Sequence, residues 1–250
     1  EAARVLGWRH EAEMLLAAVD RSLQRSVTRR IREGVPSSPY RRMDSAAVGS
    51  LAAGYPLRLW QPRDQRLLAT AEFLLAHCLV NGGFFQDMIH SGVNAYLTLH
   101  LAQVLLRAGD PRFAGLLEAV AALASPTGQW PEAIHPRTGG GCMGDGQHVW
   151  AAAEWVLLLR NCFVREEGER LVLASGIPAA WLAAGEELRL GPTLTPHGEL
   201  TVIVSPRPGG ARVRWRPRWR HQAPVIDVQL PGHEPVRPEP GKTMVDVGRR

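Results

Sequence analysis

The chain has 250 residues, 45% of them hydrophobic and 21% charged, the balance of a soluble globular protein with room for one large domain or two smaller ones. No window is apolar for long enough to span a membrane, and the opening EAARVLGWRHEAEM alternates charged with apolar residues, which argues against a signal peptide. The net charge of +5 rests almost wholly on Arg, with Lys242 the sole lysine, and permits a nucleic-acid partner without arguing for one.

Three cysteines, Cys78, Cys142 and Cys162, make no disulfide framework in a chain of this size, and a reducing, cytoplasmic setting is mildly favoured. The chain does not open on Met, so it is expected to begin inside a longer protein.

In chain order, Met14, Leu15, Ala18, Val19, Leu23, Val27 and Ile31 recur at three and four residues, which predicts a helix from about His10 to Glu33. GVPSSPYRR is a loop, and Ser45 to Ala53 a short helix of small residues that Asp44 is placed to cap. Asp64 then caps a helix whose buried stripe is Leu67, Leu68, Ala71, Leu74, Leu75, Cys78 and Leu79. After the loop NGGFFQDMIHSG comes a Leu-rich helix from about Asn94 to Arg107, ended by Gly109, and Asp110-Pro111 starts another to about Ala124. A loop and then a helix from about His148 to Phe163 complete three consecutive helical hairpins.

Past Arg165 the segments ERLVLAS, EELRLGP, ELTVIVS, GARVRWR and PVIDVQL are short and β-rich, which predicts a small antiparallel β unit. ARVRWRPRWRH places Arg at every second position, as in a half-buried strand with a solvated face rather than a nucleic-acid stripe. The expected division is residues 1–165 as helical hairpins, 166–231 as the β unit and 232–250 as a flexible tail.

Three loops hold the residues that can do chemistry. In GQWPEAIHPRTGGGCMGDGQHVWAAAEW, Glu132 is the catalytic candidate: a glycosidase needs one carboxylate to protonate the leaving oxygen and another to activate water or attack carbon. Trp130 can stack on a sugar face, and His135, His148 and Trp150 can line the subsite. Against this, Glu132 can simply pair with Arg137, and Asp145 suits a turn between two glycines. Asp87 and His90 in FFQDMIHSG are further substrate contacts, although His90-Ser91 can also cap the next helix. TGGGCMGDG lacks the Gly-Lys-Ser/Thr ending of a phosphate loop, and no spacing supports zinc at Cys142, His148 and His90. No metal or cofactor is implied.

The order of these elements resembles the six-hairpin glycosidases, in particular bacterial relatives of glucoamylase (glycoside hydrolase family 15 and its neighbours). MDSAAVGSLAAGYPLRLWQPRDQRLLATAEFLL resembles that family's Asp-led helix, Pro-rich turn and capped helix, and GQWPEAIHPRTGG its loop with the general-base Glu. GDGQHVWAAAEWVLLL stands where the family has its closing helix.

The resemblance implies a mainly α chain, a partial (α/α)6 toroid of helical hairpins followed by a small antiparallel β unit. It implies inverting hydrolysis of a glucosidic bond with Glu132 as general base. Nothing here matches the family's general acid, so that residue, and half of the toroid, are expected in a missing N-terminal half of the same polypeptide. The implied partner is a carbohydrate, with neither nucleic acid nor membrane. Two alternatives stay open: a toroid lyase or epimerase using Tyr96, His90 or His135, and a non-catalytic carbohydrate-binding scaffold.

Overall fold

The computed structural model describes residues 5–27, 34–38, 40–87, 91–144 and 146–249. His90, Asp145 and Ile31 lie outside the described residues. The chain is organised around helix α3 (Ala95–Ala108), preceded by α1 (Arg9–Val27), a 3-10 helix (Ser45–Ala53) and α2 (Gln65–His77), and followed by α4 (Phe113–Ala122) and α5 (Val149–Phe163).

Local chemistry sets α3's ends. The Asn94 side chain accepts from the Leu97 amide at 2.9 Å, and Gly109 closes the helix at φ 74°, a left-handed position that glycine adopts freely. Between them nearly every residue is buried, His100, Gln103 and Arg107 included. A helix buried on all sides must be covered on all sides, and α2, α4, α5 and the 3-10 helix pack around it. By contrast Met14, Leu15, Leu16 and Val19 of α1 are exposed.

The rest of the cover is a sheet. Strands β1 (Leu79–Val80), β2 (Gly83–Gln86), β3 (Gly92–Val93), β4 (Ala133–Ile134) and β5 (Gly141–Met143) form one antiparallel sheet in chain order. Asn81 and Gly82, both at positive φ, make the two-residue turn between β1 and β2. Gly92 is where backbones come close: a Cβ there would meet Ala133 Cβ and Cys142 Sγ at 2.9 Å.

Beyond α5, β6 (Val164–Glu167), β7 (Arg170–Leu173) and β11 (Val225–Val228) form a three-stranded sheet in which β11 runs parallel to β7. Between them in sequence, after the short α6 (Ala179–Ala183), β8 (Leu188–Thr195), β9 (Gly198–Arg207) and β10 (Gly210–Trp219) form an antiparallel meander, to whose β10 edge β12 (Met244–Gly248) adds. On β10 the alternation holds: Ala211, Val213 and Trp215 are buried, while Arg212, Arg214 and Arg218 pair with Asp246, Glu187 and Glu199.

The expectation of a mainly α chain built as a partial toroid is overturned. Among the described residues twelve strands in three sheets share the fold with the helices, and no ring of helical hairpins forms. The physical reason lies in the connections. Segments read as loops around Phe84 and Glu132 are paired strands that cover α3 themselves, and the stretch from Ser45 is a 3-10 helix. The β region is mixed rather than purely antiparallel. Residues 232–250, read as a flexible tail, supply β12.

Candidate functional site

The loop that carries Glu132 is zipped to the segment leading into α5. The Glu132 amide donates to Met143 O at 3.1 Å and the His148 amide to Trp130 O at 2.8 Å. This sets His148, the first residue before α5, beside the first turn of α3. There the Tyr96 ring meets Trp150 edge-on at 5.3 Å and His148 edge-on at 6.3 Å, while the His148 and Trp150 rings lie parallel at 6.4 Å. Trp150 is 64% exposed. The three rings form an aromatic corner that opens to solvent at Trp150. His148 Nδ1 is buried without a hydrogen-bond partner among the described residues.

The other expected site residues fall elsewhere. Trp130 belongs to the core: it is 5% exposed, its indole N–H donates to Val120 O at 2.8 Å, and its ring packs on Trp155 at 5.4 Å. Sugar stacking at Trp130 is therefore closed off. His135 holds a turn, Nδ1 accepting from the Arg137 and Thr138 amides at 3.3 Å. Glu132 is half-buried, and its carboxylate makes no ion pair with Arg137 among the described residues.

Asp87 is exposed and lines a separate cavity of about 410 Å³ with Arg41, Asp44, His77 and Cys78. Asp44 caps the 3-10 helix, accepting from the Ala46 amide at 3.0 Å. Cys142 donates its S–H to Ser91 O at 3.4 Å, and no three metal-ligating side chains converge among the described residues.

Behind the aromatic corner lies a network that sequence reasoning missed. Glu154, 7% exposed, accepts from Gln103 Nε2 at 2.7 Å, and Tyr55 lies near enough to influence its titration. Asn161 Nδ2 donates to Gln103 Oε1 at 2.9 Å, and Arg160 to Asn161 Oδ1 at 3.1 Å. Burial pushes the Glu154 carboxyl pKa up, against the opposing pull of Gln103 and Tyr55. Burial also raises the Tyr55 phenol, with the Glu154 charge adding to it. Tyr96 is raised by the same two causes in the same order. His100 is lowered by burial, and as a neutral ring its Nε2–H donates to Tyr55 O.

The signal for this network was present. Tyr96, His100, Gln103 and Arg107 stand at spacings of four, three and four in a Leu-rich helix, one polar stripe on one face. Glu154 and Asn161 are likewise two turns apart in an apolar run.

No protein-family model and no curated protein sequence matches the chain. It is similar to a solved structure named Glycosidase, wild type, at 22% identity and a TM-score of 0.47, over 60% of this chain and 44% of that one. A substituted form of a protein named Glycosidase matches at 24% identity and a TM-score of 0.41, over 59% of this chain and 38% of that one. The chain thus spans less than half the length of these proteins. No helix among the described residues is long and apolar enough to cross a membrane.

Proposed function

We propose that the chain is part of a glycoside hydrolase in which Glu132 is the general base of an inverting reaction. The observation that carries this reading is the aromatic corner of Tyr96, His148 and Trp150, held beside the Glu132 loop by the bond from His148 to Trp130 O. Sugars bind by stacking an apolar ring face on an aromatic side chain while hydroxyls find polar partners. Trp150 supplies the face and the imidazole of His148, parallel to it at 6.4 Å, the polar group.

In the proposed step, the Glu132 carboxylate takes a proton from a water as its oxygen attacks the anomeric carbon. The glycosidic C–O bond breaks, and the leaving oxygen receives a proton from a second carboxylic acid. Inverting geometry sets the two carboxyl groups about 6.5–9.5 Å apart. That acid is proposed to come from another segment of the same polypeptide, because Glu154 is buried and already committed to Gln103.

In the full-length protein, Glu132→Gln is expected to lower turnover by about 10²–10⁴-fold while sugar still binds. Proton NMR of the first anomer formed would show inversion. Retained hydrolysis by this variant removes Glu132 from the role. Sugar binding without hydrolysis is the second reading, favoured by the commitment of Glu154; an intact protein that binds oligosaccharides and never cleaves them selects it. A lyase or epimerase using Tyr96 as base is disfavoured, because burial and the Glu154 charge both keep that phenol protonated.

A further inference from the structure

At the far end of α3 from the aromatic corner lies a cleft of about 700 Å³ between the C-terminal end of that helix, the three-stranded sheet and the segment around His233. Its charged lining is unbalanced: Arg63, Arg107, Arg165 and Arg170 face it against the carboxylates of Glu167 and Asp227. Those two carboxylates are each shared. Glu167 takes Arg107 at 2.5 Å and Arg165 at 2.8 Å, and Asp227 takes Arg170 at 3.0 Å and Arg237 at 2.7 Å.

Arg63 pairs with no carboxylate among the described residues; its Nε donates to Ala108 O at 2.9 Å. Arg165 is 8% exposed, and burial lowers its pKa, with Glu167 opposing the shift and the charges of Arg107 and Arg170 adding to it. Four guanidinium groups against two carboxylates leave the lining net positive, which favours an anionic ligand.

A second observation is independent of charge. His233, 8% exposed, lines the same cleft; its Nδ1–H donates to Pro231 O at 2.9 Å, which leaves Nε2 as an acceptor with no partner among the described residues. Gln61 and Gln229 add neutral hydrogen-bonding groups to the lining. A cleft of this volume takes a ligand far larger than a bare inorganic ion.

We infer that this cleft binds a small hydroxylated anion of the sugar phosphate or sugar acid class. Arg63, Arg170 and Arg165 receive the anionic group, and His233, Gln61 and Gln229 receive the hydroxyls. Guanidinium groups suit either anion, because their planar forks match carboxylate and phosphate oxygens. The assignment is independent of Glu132 and of any hydrolytic activity.

Isothermal titration of the 250-residue chain with glucose 6-phosphate, glucuronate, glucose and inorganic phosphate tests it. Glucose 6-phosphate or glucuronate is expected to bind saturably and more tightly than glucose, and the two arms identify the anion. That preference is expected to survive Trp150→Ala and to fall at least tenfold in Arg63→Ala and in Arg170→Ala, both checked for folding by circular dichroism. His233→Leu is expected to narrow the gap between glucose 6-phosphate and inorganic phosphate. No preference for the anionic sugars over glucose overturns the inference. A preference that Trp150→Ala removes and Arg170→Ala leaves intact overturns it too, as does inorganic phosphate binding as tightly as the sugar phosphate.

Discussion

Replacing Glu154 by alanine removes the acceptor of a buried donor, Gln103 Nε2 at 2.7 Å. A stranded buried donor costs about 1–3 kcal/mol, and Glu154→Ala is expected to lose roughly that much stability. Glu154→Gln keeps the shape and one acceptor oxygen for Gln103 while removing the ionisation.

The pH dependence follows from the direction of the shift. The Glu154 pKa is raised in the folded chain, so the folded state holds its proton more tightly than the unfolded one. The corresponding stability is fully present below the unfolded value of about 4.3 and is lost as pH rises through the higher folded value. Urea denaturation at pH 4 and pH 8 reads both effects. Glu154→Gln should gain on the wild type between the lower and the higher pH, and Glu154→Ala should be the least stable at both. A constant difference between wild type and Glu154→Gln across that range refutes the reasoning. So does a Glu154→Gln variant as weak as the alanine one.

Leu99 is fully buried in the middle of α3, and Leu99→Ala is expected to cost about 2–5 kcal/mol by chemical denaturation. Asp64 caps α2 by accepting from the Arg66 amide at 2.9 Å and pairs with the Arg66 guanidinium. Asp64→Ala is therefore expected to cost about 0.5–2 kcal/mol. Hydrogen bonding from Arg66 lowers the Asp64 pKa. That contribution is present above the unfolded value and is lost as pH falls through the folded one, so wild type and variant should converge in an acid titration. Trp150 is largely exposed, and Trp150→Ala is expected to change stability by less than about 0.5 kcal/mol while abolishing any quenching of tryptophan fluorescence by oligosaccharides.

The helices were legible because their signals are local. Asp64 caps as its side chain predicts and Gly109 ends α3 where a left-handed residue is needed, whereas the cap of α3 is Asn94 and not the expected His90-Ser91. The fold class was not, and length explains why. Strands of two residues such as Leu79–Val80 and Ala133–Ile134 are too short to show an alternation, and Ile134 finds a partner as far back in the sequence as Val93. One of them did announce itself: Asn81-Gly82 is a strong hairpin signal, hidden within a glycine-rich stretch that reads equally as a loop.

At the site, Glu132, His148 and Trp150 stand out by residue type, but Trp130 does not belong with them. An indole is as suited to a core, where its N–H finds a carbonyl, as to a sugar. Glu154 was overlooked because an acid in an apolar helix shows its purpose only when its donor arrives from α3.

The polar stripe on α3 also fixes how that helix is oriented. A helix lined with leucine all round can turn about its own axis at little cost, since one leucine fills a gap nearly as well as the next. His100 bonds Tyr55 O, Gln103 bonds Glu154 and Asn161, and Arg107 bonds Gly54 O, Trp60 O and Glu167, all in this one rotational setting. Advancing the helix by one residue, a turn of about 100°, would bury all three without partners. The stripe thus acts as a key: leucine supplies the adhesion, and the three polar side chains decide which rotational setting the core accepts.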